Sequence, residues 1–200
     1  MTCAMKTIYL ERSAGQGRDG DWVERLDLDG VERIVVGTGP GSFAGIRSAI
    51  AFAQGFALGR RCEVLGLPSP CAVAAKVFAS MGTVPVQEGT VPMRLAVMGD
   101  ARCGKIWIAL FNGFSIEKDV FQADKGEIED VLNGLPGEPY RIVTTDEPRI
   151  GTLLKETFGD QYIGGQTPDA EGLRVFAEAN PSILKPEPLP IYLNPAVRNP

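Results

Sequence analysis

The sequence of 200 residues contains no histidine, and this absence removes several kinds of active site. Without an imidazole, the chain cannot form a Ser-His-Asp triad, a Cys-His pair or an H-E-x-x-H zinc site. The sequence also lacks an excess of basic residues, since 25 acidic residues outnumber 20 basic ones and give a net charge of −5. A free-standing nucleic-acid-binding protein needs a basic surface. The composition therefore excludes histidine-dependent catalysis and argues against direct binding of nucleic acid.

Cysteines and long apolar runs are also scarce. The four cysteines show no C-x-x-C spacing, which disfavours a zinc ribbon or a redox motif, and a disulfide framework is implausible in a chain of this size. They are Cys3, Cys62, Cys71 and Cys103. No apolar run approaches the ~20 residues of a membrane span, and the N-terminus shows no secretory signal pattern. We expect a cytoplasmic protein with reduced thiols and no membrane association.

The first half of the chain carries a strand-helix-strand pattern. A β-branched run over 31–36 ends at Gly37, a helical segment follows over 43–58, and a second apolar stretch covers 62–66. Such a unit normally gives two parallel strands with a right-handed crossover. The pattern predicts an α/β fold.

The second half predicts a second lobe of strands and helices. Strands are expected over 94–99, 105–111, 114–121 and 140–145, and helices over 70–81, 125–132, 148–158 and 168–179. An Asn-Gly pair at 112–113 predicts a hairpin turn. Residues 82–92 are poor in helix formers and suggest the lobe boundary. We therefore expect an N-terminal lobe over 1–85 and a C-terminal lobe over 93–200 with a proline-rich tail.

A glycine-rich loop before the first long helix is the most suggestive chemical feature. Its glycines are Gly37, Gly39, Gly41 and Gly45. Backbone N–H groups at a helix N-terminus can bind an anion, whereas a tight turn with close packing needs glycine equally. The known templates fail, because Ser42 replaces the third glycine of the dinucleotide fingerprint and no Gly-Lys-Ser/Thr is present. The loop is thus predicted to be either structural or anion-binding.

The helix over 43–58 is apolar on most of its faces. A surface helix shows one apolar stripe, so this helix should be buried on more than one side, either within its own subunit or against a partner. The residues expected at a partner interface are Ile46, Ala49, Ile50, Ala53, Phe56 and Ala57. A change of Ile50 to Glu should then weaken a dimer.

A second cluster of charge lies between two predicted strands. Asp100 and Arg102 are placed to form an exposed ion pair at a hairpin tip, and such pairs contribute little stability. No spacing of Asp or Glu supplies the converging carboxylates of a metal site. Neither a metal nor a catalytic residue is predicted.

Several of these segments together resemble one protein family. The run Gly-Thr-Gly-Pro-Gly-Ser-Phe-Ala-Gly-Ile-Arg over 37–47, the small-residue helix ending Gln-Gly-Phe-Ala-Leu at 58, and Asp-Ala-Arg-Cys-Gly-Lys-Ile-Trp over 100–107 resemble the TsaB (YeaZ) family. The terminal Pro-Ile-Tyr-Leu-Asn-Pro over 190–195 resembles the family's closing Pro-x-Tyr-Leu-Arg. The family motif covers Gly37, Gly39, Pro40, Gly41, Ser42, Phe43, Gly45 and Arg47, with Asp100 and Arg102 in the second motif.

The resemblance implies an actin/Hsp70-like α/β fold (ASKHA, ribonuclease H-like) of two lobes. It also implies a non-catalytic scaffold subunit for making threonylcarbamoyladenosine at position 37 of tRNA. The implied partners are a TsaD-type homologous subunit, which carries the metal and the transfer chemistry, and a TsaE-type ATPase. A homodimer is the alternative assembly, and tRNA is contacted only indirectly.

The N-terminus departs from the family pattern. Family members begin with an apolar strand, an Asp-Thr turn, a hairpin and a long helix, and little chain precedes Gly37 for these elements. We expect a truncated N-terminal lobe in which 2–10 are the remainder of the hairpin, with no cofactor and at most weak nucleotide binding. The alternatives are a nucleotide-binding phosphotransfer enzyme of the same fold and a degenerate homologue without activity.

Overall fold

The computed structural model describes residues 5–15, 20–82 and 93–193. These residues divide into two compact units, one lying within 1–72 and 168–191 and the other within 73–167 and 192–200. The predicted lobe boundary falls largely on 83–92, which lie outside the described residues, so the division into 1–85 and 93–200 stays a prediction.

The elements follow one another along the chain with short connections. The strands are β1 (Thr7–Leu10), β2 (Arg33–Gly37), β3 (Glu63–Leu67), β4 (Arg94–Arg102), β5 (Lys105–Asn112), β6 (Ser115–Asp124), β7 (Arg141–Thr144), β8 (Tyr162–Gly165) and β9 (Lys185–Pro186). The helices are α1 (Phe43–Ala57), α2 (Pro70–Ser80), α3 (Ile128–Asn133), α4 (Glu147–Phe158) and α5 (Ala170–Ala179). Short 3-10 turns lie at Gly20–Arg25, Gly159–Gln161 and Pro181–Ile183.

The first unit contains a four-stranded sheet in the order β1-β2-β3-β9. The first three strands are parallel and β9 is antiparallel to β3. The predicted strand-helix-strand unit is therefore confirmed as β2-α1-β3. The reading of 2–10 as a hairpin remnant is wrong for the described part, because 7–10 form a strand that pairs directly and in parallel with β2.

Helix α1 forms the core of the first unit together with one face of this sheet. The Ser42 hydroxyl caps the helix by accepting from the Gly45 N–H at 3.3 Å, which satisfies one of the free amides of the first turn. The buried core consists of Leu10, Val31, Ile34, Val36, Ile46, Ala49, Ile50 and Ala53. Helix α5 packs against β1.

The second unit contains a five-stranded sheet in the order β6-β5-β4-β7-β8. Strands β4, β5 and β6 form an antiparallel meander, whereas β7 is parallel to both β4 and β8. The predicted strands and helices of this half are present, with ends shifted by a few residues, and the turn at Gly113 has the expected positive φ of 54°. Strand β8 was not predicted, because its short segment Tyr-Ile-Gly-Gly has no alternation of polar and apolar residues.

The core of the second unit lies between its sheet and helices α3 and α4. Buried members include Met98, Ile108, Leu132, Ile150 and Leu154. Among the helices in the described ranges, none combines the length and hydrophobicity required to cross a membrane.

Candidate functional site

The glycine-rich loop joins the end of β2 to the start of α1. The peptide bond between Gly39 and Pro40 is cis, and Gly39 and Gly41 have φ values of +88° and +156°. These values lie in backbone regions that side chains rarely adopt, so glycine is needed at both positions.

The loop lies directly against the segment that follows β1. The Ser42 N–H donates to the Ser13 carbonyl at 2.6 Å. A Cβ atom at Gly41 would overlap that carbonyl, and one at Gly45 would overlap the carbonyl of Arg12. Both glycines are therefore required by close backbone approach, independently of any ligand.

The N–H groups of the loop are largely paired within the protein. Gly39 donates to the Ser69 hydroxyl at 3.0 Å, and Thr38 donates to the Leu67 carbonyl at 2.9 Å. With the amide of Ser42 also paired, these donors are not directed at an external group. An anion site of the glycine-loop type needs such donors unpaired.

The carboxyl group of Glu11 is buried beside the same loop. Its Oε1 accepts from the Ser13 N–H at 2.6 Å, whereas Oε2 is buried without a hydrogen-bond partner. Burial raises the pKa of this carboxyl, and the hydrogen bonds from Ser13 together with the nearby Ser69 hydroxyl oppose that rise. Oε2 lies so close to Gly37 that a Cβ there would overlap it. Of the two predicted roles of the loop, the geometry favours the structural one.

Four of the six residues predicted to face a partner instead face the interior. Ile46, Ala49, Ile50 and Ala53 pack on the sheet of their own unit. Phe56 and the sixth residue, Ala57, are half-buried. The prediction for the four buried residues is corrected, because side chains closed off by their own sheet cannot touch a partner. The sequence could not distinguish the faces, since apolar residues occur all around the helix.

A second side of α1 is covered by the 3-10 turn at Gly20–Arg25. Trp22 meets Phe52 edge to face at 5.2 Å between ring centroids, and Phe52 lies 6.1 Å from Phe56. The guanidinium groups of Arg12 and Arg60 lie over the Trp22 and Phe56 rings at 4.7 and 4.5 Å. Two covered sides explain why α1 is more apolar than an ordinary surface helix.

A third side of α1, which we call the outer face, is exposed in this structure. It consists of Phe43, Ala44, Arg47, Ser48, Ala51, Gln54, Gly55 and Leu58. Phe43 is 54% exposed and Leu58 82% exposed, and Arg47 lies over the Phe43 ring at 4.8 Å. Small side chains between two exposed apolar residues leave the helix backbone accessible to close packing.

The second motif forms a charged cluster in the other unit, which we call the Asp100 cluster. The Asp100 carboxylate is only 8% exposed and lies 3.3 Å from Lys125, 3.6 Å from Arg102 and 3.7 Å from Arg149. Arg149 also lies 3.6 Å from Asp146. The predicted ion pair between Asp100 and Arg102 is present, but its carboxylate is buried rather than exposed.

The fold brings the Asp100 cluster together from three separate segments. A register shift between Asp100 and Arg102 marks a bulge in β4, and the tight turn at Cys103 and Gly104 leads into β5. Lys125 follows β6, and Arg149 lies in the first turn of α4. Neither residue was predicted to belong to the cluster, although each stands at the start of a predicted helix.

Comparisons with known proteins agree with this architecture. The family model described as TsaD, tRNA N6-adenosine threonylcarbamoyltransferase, matches residues 24–144, more than half of the chain. The solved structure "YeaZ from Pseudomonas aeruginosa" is 19% identical with a TM-score of 0.64, and the match covers 94% of this chain and 99% of that one. A second structure, an uncharacterized protein "with similarity to peptidase YEAZ from Pseudomonas aeruginosa", is 17% identical with a TM-score of 0.65, covering 95% and 100%. Among curated proteins, no sequence matches the chain.

The fold is thus the actin-like α/β fold of YeaZ, as the family resemblance implied. The chain belongs to the TsaD family. The expected relationship to TsaB (YeaZ) proteins is confirmed at the level of family and fold.

Proposed function

We propose that this protein is a non-catalytic subunit of tRNA threonylcarbamoyl modification that associates with a TsaD-type catalytic subunit through the outer face of α1. Membership of the TsaD family supports the link to this modification. The absence of histidine from the sequence supports an accessory role, because imidazole ligands for a catalytic metal must then come from another chain. In the assembly we propose, a TsaE-type ATPase joins the pair and tRNA is held by the partner.

The outer face of α1 is the observation that carries this proposal. Phe43 and Leu58 are large apolar side chains left exposed at its two ends. Between them Ala44, Ala51 and Gly55 are exposed and small, which permits a helix of another subunit to approach closely. Exposed apolar surface of this kind marks interaction sites in soluble proteins.

Association is tested by mixing the purified protein with a TsaD-type subunit and measuring molar mass by light scattering after size exclusion. We expect a heterodimer, and an Ala51→Glu variant should weaken it, because the change places a charge in an apolar contact. Ala170→Glu is the matched control, since Ala170 is also an exposed helical alanine of the first unit.

The outcomes separate the possible assemblies. Loss of the heterodimer in Ala51→Glu but not in Ala170→Glu supports the proposal. If the wild-type protein forms only a homodimer and Ala51→Glu weakens it, the outer face is an interface as proposed, but its partner is a second copy of this chain. No association of any kind with a TsaD-type subunit would refute the proposed function.

A further inference from the structure

The Asp100 cluster contains more positive charge than its carboxylates neutralise. Three cations surround Asp100, and Asp146 is the second carboxylate in contact with them. Lys105 and Asp124, which are cross-strand neighbours near the same turn, carry opposite charges. The cluster therefore keeps a local surplus of positive charge in a protein whose net charge is −5.

The cations also keep unused hydrogen-bond donors. The guanidinium groups of Arg102 and Arg149 lie 3.6 and 3.7 Å from Asp100, beyond the 2.7–2.9 Å of a charge-assisted hydrogen bond. Over the described part of the chain, no side-chain hydrogen bond is donated by Arg102, Lys125 or Arg149. Their side chains are 61%, 36% and 45% exposed, whereas Asp100 is closed off. A ligand from solvent can thus reach all three cations.

The cluster lies where the topology favours anion binding. Strands β4 and β7 are parallel and both end beside it, and α4 begins immediately afterwards. Ligands bind outside the carboxyl ends of parallel strands, and a helix N-terminus stabilises negative charge. The side chain of Asp146, which stands at the N-cap of α4, makes no capping hydrogen bond.

We propose that Arg102, Lys125 and Arg149 form a binding site for a phosphate group. Guanidinium forks match phosphate oxygens in pairs, and an ammonium adds a point charge. Asp100 holds the three cations near one another, and it carries too little charge to neutralise them. The phosphate could belong to a free small molecule or to the backbone of an RNA. The inference involves residues other than the outer face of α1 and does not depend on the proposed association.

The test uses titration calorimetry of the full chain with two separate probes. One is inorganic pyrophosphate, and the other is a single-stranded RNA oligonucleotide without terminal phosphates. Arg149→Gln and Lys125→Gln should each weaken binding by about tenfold or more, since each removes a charged hydrogen-bond donor to the phosphate. Arg141→Gln removes the same charge at the opposite end of β7 and should leave binding unchanged.

The two probes distinguish the source of the phosphate. Binding of pyrophosphate alone identifies a small-molecule ligand, whereas binding of RNA with a steep salt dependence identifies backbone contacts. Melting temperatures of the variants close to that of the wild type show that lost binding is not lost folding. If neither probe binds, or if Arg141→Gln weakens binding as much as Arg149→Gln, the proposal is overturned.

Discussion

At the scale of single residues, the buried carboxyl group of Glu11 lowers the stability of the folded protein. Its Oε2 is buried without a partner, and burial raises its pKa above the ordinary value of 4.5. An acid whose pKa is higher in the folded state loses its proton first in the unfolded chain as pH rises. The group therefore destabilises the fold increasingly from about the unfolded pKa upward, and the cost reaches its full value above the folded pKa.

We expect Glu11→Gln to raise the stability of the protein at neutral pH. The amide keeps an oxygen for the Ser13 N–H and removes the titratable group whose pKa is raised by burial, and the gain should be on the order of 1 kcal/mol. Thermal melting at neutral pH and at about pH 4 measures the effect, which should shrink in acid because the Glu11 carboxyl is then largely protonated in both states. Glu24→Gln at an exposed position is the control. A stabilisation equal at both pH values would contradict this account.

At the scale of elements, the sequence predicted the order of strands and helices better than the contacts among them. The run from Val31 to Gly37 followed by a helix predicts a parallel strand-helix-strand unit. This prediction succeeds because the apolar pattern and the turn residues that specify the unit are close together in the sequence. The approach of Arg12 and Ser13 to the glycine loop depends on which strand becomes the neighbour of β2. The Asp100 cluster likewise needs Lys125 and Arg149, which are brought together only by the sheet order.

Two glycines of α1 provide a test of this contact between segments. A Cβ at Gly45 would overlap the Arg12 carbonyl, whereas a Cβ at Gly55 would have nothing within 4 Å. Alanine is the better helix former by about 1 kcal/mol. Gly55→Ala should therefore raise the unfolding free energy by about that amount, and Gly45→Ala should lower it. Chemical denaturation measures both, and a stabilising Gly45→Ala would show that the start of α1 does not lie against Arg12.

At the scale of the whole molecule, different sides of α1 serve the folding of its own unit and the proposed association with a partner. One side builds the core with the sheet, a second is closed by Trp22, and the outer face contributes little to the fold of its own unit. Burial on the first side explains why a charge at Ile50 would disrupt folding before it affected any dimer. Stability and association should therefore respond to different residues of one helix.

The neighbouring residues Ile50 and Ala51 test that division directly. Ile50 is 5% exposed in the core, so Ile50→Ala should lower the unfolding free energy by about 2–5 kcal/mol through the cavity it leaves. Ala51 is exposed, so Ala51→Glu should change stability by no more than about 0.5 kcal/mol while weakening association with a TsaD-type subunit. Denaturant unfolding and sedimentation of both variants measure the two properties separately. If Ala51→Glu unfolded the protein as severely as Ile50→Ala, the outer face would be part of the fold and could not serve as a separate interface.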